Sequence, residues 1–237
     1  MTSKPDNIPR YLYRFVRFDH LWDIIIFNRL YVPRRIQLND PFDGVVKLVS
    51  RKKRKEKQIQ KQVDKRMRIL SFSGDDSAPT NPLMWSHYAD GHKGVCLQFD
   101  MELWRPEDID RSGYVLGPVR YSQVRPLVNL PGTIARPGSA FGLDPRGTTE
   151  PLNYIAFTKH KDWCYEQEWR IICSQKDDKE AIYLSFPPEA LVEVITGLRM
   201  PEQQRKDINN LIEKCNHPAL VAEAREDGKA FQIIISK

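Results

Sequence analysis

The 237-residue chain is 41% hydrophobic and 10% aromatic, enough to build a core, and this excludes wholesale disorder. Its longest apolar run, Ile24 to Phe27, falls far short of a membrane span, and its first residues lack the apolar stretch of a secretory signal. Net charge is +6, but ten of the 37 Lys/Arg fall between Arg51 and Arg68 against two of the 31 acids. That segment is therefore +8, and the remainder, 27 against 29, is −2. One basic segment on a near-neutral body implies a discrete arm or helix rather than a generally cationic surface.

In chain order, the alternating aromatic run 11–18 reads as a strand. Asp19 caps a helix over residues 20–30 with Leu21, Ile24, Ile25 and Asn28 on one face. Leu38-Asn39-Asp40-Pro41-Phe42-Asp43-Gly44 is turn chemistry, since Asn and Asp bond the backbone two residues on and Pro fixes φ. The basic segment predicts a helix over 51–70, because Ile59, Val63, Met67 and Leu70 recur as one apolar stripe on a charged rod. A solvated face and a contact with nucleic acid or an acidic partner through Arg51 to Arg68 both fit that rod. Residues 68–73 read as a strand, and Asn81-Pro82 is an N-cap followed by proline at the first helical position. Gly91 stops that helix, and 94–100 is a strand.

Residues 105–150, rich in Pro, Gly and Arg with only brief strand signals at 114–116 and 119–121, read as an irregular insertion beside a site. Beyond it, strands are expected at 169–173, 182–186, 191–196, 220–224 and 231–235, with an amphipathic helix over 201–215. Strands outnumber helices without regular alternation, so the expected fold is α+β: a single domain, 1–237, with a central mixed, mostly antiparallel sheet and flanking helices. Four cysteines (Cys96, Cys164, Cys173, Cys215) lack CxxC spacing, which fits reduced thiols in a cytoplasmic protein and no zinc finger. Cys96 and Cys164 are expected in the core.

Four patches carry candidate chemistry. In an extended segment Glu166 and Glu168 face one way and Gln167 the other, so one carboxylate could stabilise a developing cation while the other orients a nucleophile. Solvated acids paired with Lys159, Lys161 or Arg170 are the bland alternative. Trp85, Ser86, His87 and Tyr88, with His92, gather an indole, a hydroxyl, a phenol and imidazoles, a mixture suited to stacking and hydrogen bonding. His87 and His92 do not have zinc-helix spacing. Arg14 can clamp phosphate or carboxylate. Asn39 to Asp43 alone is a well-specified turn. No GxGxxG, P-loop or GxSxG motif is present.

Taken in this order, Leu12-Tyr13-Arg14-Phe15, Leu38 to Asp43, Leu83 to Tyr88 with His92 to Cys96, and Trp163 to Arg170 resemble the bacterial family called domain of unknown function 2971. Proteins of that type look like cytosolic bacterial or phage-encoded proteins, some associated with phage defence. The order of an early Arg, a central aromatic-hydroxyl patch and a late Glu-x-Glu is also distantly similar to ADP-ribosyltransferases. That likeness implies NAD as substrate. Arg14 would support its phosphates or ribose, Tyr88 with Trp85 and Ser86 would hold nicotinamide, Glu168 would bind the ribose hydroxyl, and Glu166 would activate the acceptor. The Ser-Thr-Ser segment of those enzymes is absent, and Ser71-Phe72-Ser73 only partly echoes it. The resulting expectation is an NAD-consuming, ADP-ribosyltransferase-like protein. Its rivals are a non-catalytic ligand- or partner-binding module with a Trp/His/Tyr pocket, and a metal-dependent nuclease built on Asp40, Asp43, His87 and Glu168, disfavoured by the lack of a compact ligand motif.

Overall fold

The structure, a computed structural model, describes residues 8–45, 47, 53–111, 113–127, 155–174 and 181–236. The chain divides into two compact units, each discontinuous in sequence. The first comprises Met1–Leu30, Phe72–Asp108 and Tyr183–Lys237, and the second Tyr31–Ser71 and Ile109–Ile182.

In the first unit, β1 (Tyr11–Val16), β4 (Val95–Asp100), β10 (Leu191–Thr196), β11 (Leu220–Glu226) and β12 (Ile233–Ser236) lie side by side in the order β12-β11-β10-β4-β1. Only the β10–β11 pair among these is parallel. The helix between β10 and β11, α5 (Glu202–Lys214), supplies the crossover that parallel neighbours require. It turns Ile208, Leu211 and Ile212 inward, as its spacing predicts. β4 reads as a nearly continuous apolar run because both its faces are buried.

The helix expected over 20–30 is shorter: α1 is Leu21–Phe27, and Asp19, expected to cap it, lies instead in the preceding 3-10 turn (Phe18–His20), the cap position falling on His20 with no side-chain cap bond. Asn28 ends α1 in the left-handed conformation at φ 48°, and Leu30 belongs to the short strand β2 (Arg29–Tyr31), while the strand expected at 182–186 is β9 (Tyr183–Ser185). Asn tolerates that backbone where most residues do not, so it is a C-terminal cap rather than part of an apolar face. The Asn81 cap holds as read, its side chain accepting from the Leu83 amide at 3.0 Å ahead of α3 (Pro82–Tyr88).

In the second unit, β3 (Met67–Ser73, of which 67–71 belong here), β8 (Glu168–Ser174) and β5 (Val115–Pro118) are neighbours in that order, and β6 (Arg120–Ser122) pairs in parallel with β7 (Thr158–His160). The basic helix, α2, spans Lys53–Arg66, shorter than expected. Ile59 and Val63 form its buried stripe, but Met67 and Leu70 lie on β3. The apolar run from Met67 to Phe72 is taken up by strand pairing, with the Ile69 amide donating to the Pro33 carbonyl at 3.0 Å, and tertiary pairing overrides the helical period. Ile59, Val63, Met67, Ile69, Ile155, Ala156 and Ile172 make one apolar core.

The stretch 105–150 is not uniformly irregular. The brief strand signals at 114–116 and 119–121 become β5 and β6, β5 through the pairing of Val115 and Leu116 with Ile172 and Ile171 of β8, and α4 (Pro106–Arg111) precedes them. Residues 128–150 lie outside the described residues. Helices and a mixed, mostly antiparallel sheet without regular alternation make the chain α+β. Cys96 is buried as expected, whereas Cys164 is exposed, since the short helical turn that carries it directs neighbouring Glu166 inward instead. Among the described residues no helix is long and apolar enough to cross a membrane.

Candidate functional site

The second unit gathers five charged side chains in its interior. β7 delivers Lys159, a 3-10 turn over Lys161–Glu166 follows, and Gln167 adopts the left-handed conformation at φ 44° before β8 opens with Glu168. That reversal turns Gln167 out to solvent and brings the two flanking carboxylates to one ammonium. Lys159 Nζ stands 2.6 Å from Glu166 and 3.0 Å from Glu168. The alternation expected of an extended Glu-x-Glu thus has the right outcome for a different reason, a left-handed residue closing a 3-10 turn in place of a straight strand. Nor are the acids solvated: Glu166 and Glu168 are 3% and 4% exposed.

Two residues along β8, on the same face as Glu168, Arg170 is fully buried. Its Nε donates to one Glu168 oxygen at 2.7 Å and its Nη2 to the other at 2.9 Å. Nη2 also meets both oxygens of Asp43, at 2.9 and 2.8 Å, and Nη1 donates to the Ala156 carbonyl. Asp43 arrives from the 39–43 turn. There the Phe42 amide donates to Asp40 Oδ1 at 2.8 Å, the Asn39 side chain accepts from the Asp40 amide at 3.0 Å, and the Asp43 amide reaches back to the Asp40 carbonyl at 3.2 Å. This is the Asx-type wiring that the sequence implies. Tyr121 completes the surroundings, its hydroxyl accepting from the Glu168 amide at 2.7 Å, and the Trp163 ring lies 4.8 Å from Lys159 Nζ.

Three carboxylates against two cations leave the cluster one negative charge over. Burial alone would push Glu168 up, but the Arg170 and Lys159 charges, with hydrogen bonds from Arg170 and Ser71, outweigh it and hold the carboxyl down to about 2. Asp43 moves the other way, raised by burial and by the like charge of Glu168 more than Arg170 and Lys159 lower it. Burial works to lower Lys159, yet its three acidic neighbours raise it. Glu168 is consequently an ionised carboxylate with both oxygens engaged, and the cluster as it stands is a closed ion-pair network.

The remaining candidates lie in the first unit. Arg14, on β1, stands over the Phe72 ring with its guanidinium carbon 5.9 Å from the centroid, and burial draws its pKa down to about 10. Trp85 is fully buried, donating its indole N–H to the Pro79 carbonyl at 2.7 Å and meeting Phe15 edge-on at 5.1 Å. It is a core anchor and presents no face to a ligand. Ser86 and His87 are exposed and Tyr88 is half-buried, with the His87 and Tyr88 rings 6.1 Å apart. Ser86 Oγ lies 2.9 Å from His92 Nε2, and burial together with Arg199 lowers the His92 pKa.

Glu166 and Glu168 are thus brought together with Lys159, Arg170 and Asp43, while Arg14 and residues 85–88 belong to the other unit. The carboxylates expected in the nuclease reading are already in use. Asp40 holds its own turn and Asp43 and Glu168 bind Arg170, and among the described residues no group of three or more His, Cys, Asp or Glu is placed to hold a metal. The sequence reading named Arg170 and Lys159 only as partners of solvated acids. The signal it lacked was that the apolar run after Glu168 buries this whole face.

Residues 84–171 match the model of a protein family described as a protein of unknown function, DUF2971. The matched span includes the Trp-Ser-His-Tyr segment, Lys159 and the Glu-Gln-Glu-Trp-Arg segment; Arg14 and the 39–43 turn lie outside it. No curated protein matches the chain, and no solved structure does.

Proposed function

We propose that the chain is a binding module that engages nucleic-acid phosphates through the exposed face of α2, rather than a transferase that works through Glu168. The observation that carries this reading is how the acids of α2 are disposed. Asp64 is held by Arg35 and by Gln60 at 2.7 Å, and Glu56 by Lys47 at 3.0 Å. Both acids are engaged by partners, while Lys53, Arg54, Lys57, Lys61 and Lys65 are exposed. Lys53, Lys57, Lys61 and Lys65 recur every four residues, a row about 18 Å long at 1.5 Å rise per residue. Like charges at this spacing cost an isolated helix about 0.2–0.5 kcal/mol per pair. A polyanion laid along the row relieves that repulsion and releases its own counterions. A nucleic-acid target is also compatible with the phage-defence setting that the sequence resemblance implies.

The test is a fluorescence-anisotropy titration with labelled nucleic acid at several salt concentrations. Binding should weaken as salt rises, with a log–log slope of up to about −4.5 for five phosphate contacts on a duplex. Replacing Lys53, Lys57, Lys61 and Lys65 with Gln should weaken binding and flatten that slope. Tight binding unaffected by these changes would reject the reading.

One observation favours a second reading, the NAD-consuming transferase: the Ser71 hydroxyl bonds Glu168 with Glu166 alongside on Lys159. A serine and a Glu pair are the elements that such an enzyme would use. Glu168 would then have to exchange a bond to Arg170 or Lys159 for a ribose hydroxyl. Nicotinamide release by the wild type, abolished in Glu168→Gln, would establish it. No release, and no thermal stabilisation by millimolar NAD, would discard it.

A further inference from the structure

The 39–43 turn presents an aromatic ring outward. Both its acids are turned inward, Asp40 at 6% and Asp43 at 3% exposed, whereas Phe42 between them is 65% exposed. Pro41 and the Asx bonds fix the main chain at this point, so the ring is held out by a rigid support. The Arg125 guanidinium carbon lies 5.1 Å from its centroid, and Arg125 is itself exposed. An apolar ring that is meant only to fill space would be buried; this one is displayed with a cation over it.

The turn is also tied to the basic helix. Arg35 Nη1 donates to the Asp43 carbonyl at 2.7 Å while its Nε pairs with Asp64 of α2. A single guanidinium therefore bridges the main chain next to Phe42 and the helix flank that carries Lys61 and Lys65 on either side of Asp64. Gly44 makes room for that bridge: at φ +62°, a Cβ there would come within 2.9 Å of the Arg35 side chain.

We infer that Phe42 and Arg125 form a stacking platform for an unpaired base of a single-stranded nucleic acid whose phosphates run along the α2 lysine row. This inference rests on the nucleic-acid reading of α2 and deepens it. A planar base has a π-face to offer Phe42, Arg125 adds a charge attracted to both ring and phosphate, and a lysine row supplies phosphate contacts without sequence preference. A duplex keeps its bases stacked inside and offers the platform nothing.

The experiment compares a fluorescein-labelled oligouridylate 12-mer with an RNA duplex of equal length, binding wild type, Phe42→Ala, Phe42→Trp, Phe42→Leu and the four-lysine α2 variant. Wild type should prefer the single strand. Phe42→Ala should weaken single-strand binding about tenfold or more, leave duplex binding and the salt slope unchanged, and leave Tm unchanged because the ring is exposed. Phe42→Trp should restore affinity and show quenched fluorescence on binding, whereas Phe42→Leu should not restore it. If Phe42→Ala binds the single strand like wild type, or Phe42→Leu restores binding, the platform is rejected while the α2 reading survives. If the α2 variant binds like wild type, both are rejected.

Discussion

Asp43 and Arg170 stand 127 residues apart in sequence and 2.8 Å apart in space. The pair joins a turn to a strand inside the second unit, with no water-exposed route to either charge: the side chains are 2% and 0% exposed. Buried pairs of this kind add little over a well-packed apolar substitute, but removing one partner strands the other.

Asp43→Ala should therefore destabilise the protein by on the order of 3 kcal/mol. The expected fall in Tm is roughly 6–12 °C for a chain of this size. Asp19→Ala, which breaks the exposed Arg17–Asp19 pair, should leave Tm essentially unchanged. Differential scanning calorimetry of the two variants checks both; equal shifts would show that the buried network contributes no more than a surface pair.

The acid limb of stability should carry the signature of Glu168. Its carboxyl is held at about 2 in the folded protein against an ordinary 4.5, so its contribution is present above pH 4.5 and is lost as pH falls toward 2. Asp43, raised by burial, runs the other way and loses stability as pH rises through its folded value. Urea midpoints between pH 7 and 2 should show Glu168→Gln less stable than wild type at pH 7, with the two curves converging in acid. Parallel curves would contradict the assignment.

Gly94→Ala should be severe. A Cβ at that position would lie 2.2 Å from the Val16 carbonyl oxygen, with the Ala89 main chain at 3.1 Å. Neither neighbour is the end of a flexible side chain, so main chain must move and the Gly94 amide bond to the Ala89 carbonyl, 2.7 Å, is put at risk. We expect loss of soluble protein or a drop in stability of more than about 3 kcal/mol, whereas Gly228→Ala, with nothing within 4 Å, should be mild. Expression and urea unfolding of the two distinguish them.

His92 should titrate below the ordinary histidine value. Burial contributes most and Arg199 adds to it, so the imidazole beside Ser86 is predominantly neutral at pH 7. Arg199→Met should move the midpoint upward, read from the ring proton shifts by NMR. No movement would assign the depression to burial alone.

Local signals in the sequence carried much of this fold. The Asn81-Pro82 start of α3, the inward face of α5 and the strand 191–196 follow from capping, period and composition, which act over a few residues. What depended on partners far along the chain did not follow. Met67 and Leu70 continue the helical stripe of Ile59 and Val63 by spacing, and only sheet pairing assigns them to a strand. Glu166 and Glu168 could be placed on one side with Lys159 and Arg170 as partners, but the burial of those pairs and the addition of Asp43 from a distant loop depend on the tertiary fold. Trp85 looked like a stacking surface because composition reveals an indole and not which way it points. Phe42, read only as part of a turn, needed its burial to be known before its exposure could mean anything.

The Asp43–Arg170 link also bears on the order of synthesis. A chain that grows from its N-terminus exposes Asp43 long before either Lys159 or Arg170 has been added, so for most of translation the loop carries a carboxylate with no counter-ion to bury it against. Since the network closes only after residue 170, a nascent chain stalled ahead of Lys159 would lack both cations of the cluster, and the second unit would assemble late, after the complete 39–43 turn has waited in solvent.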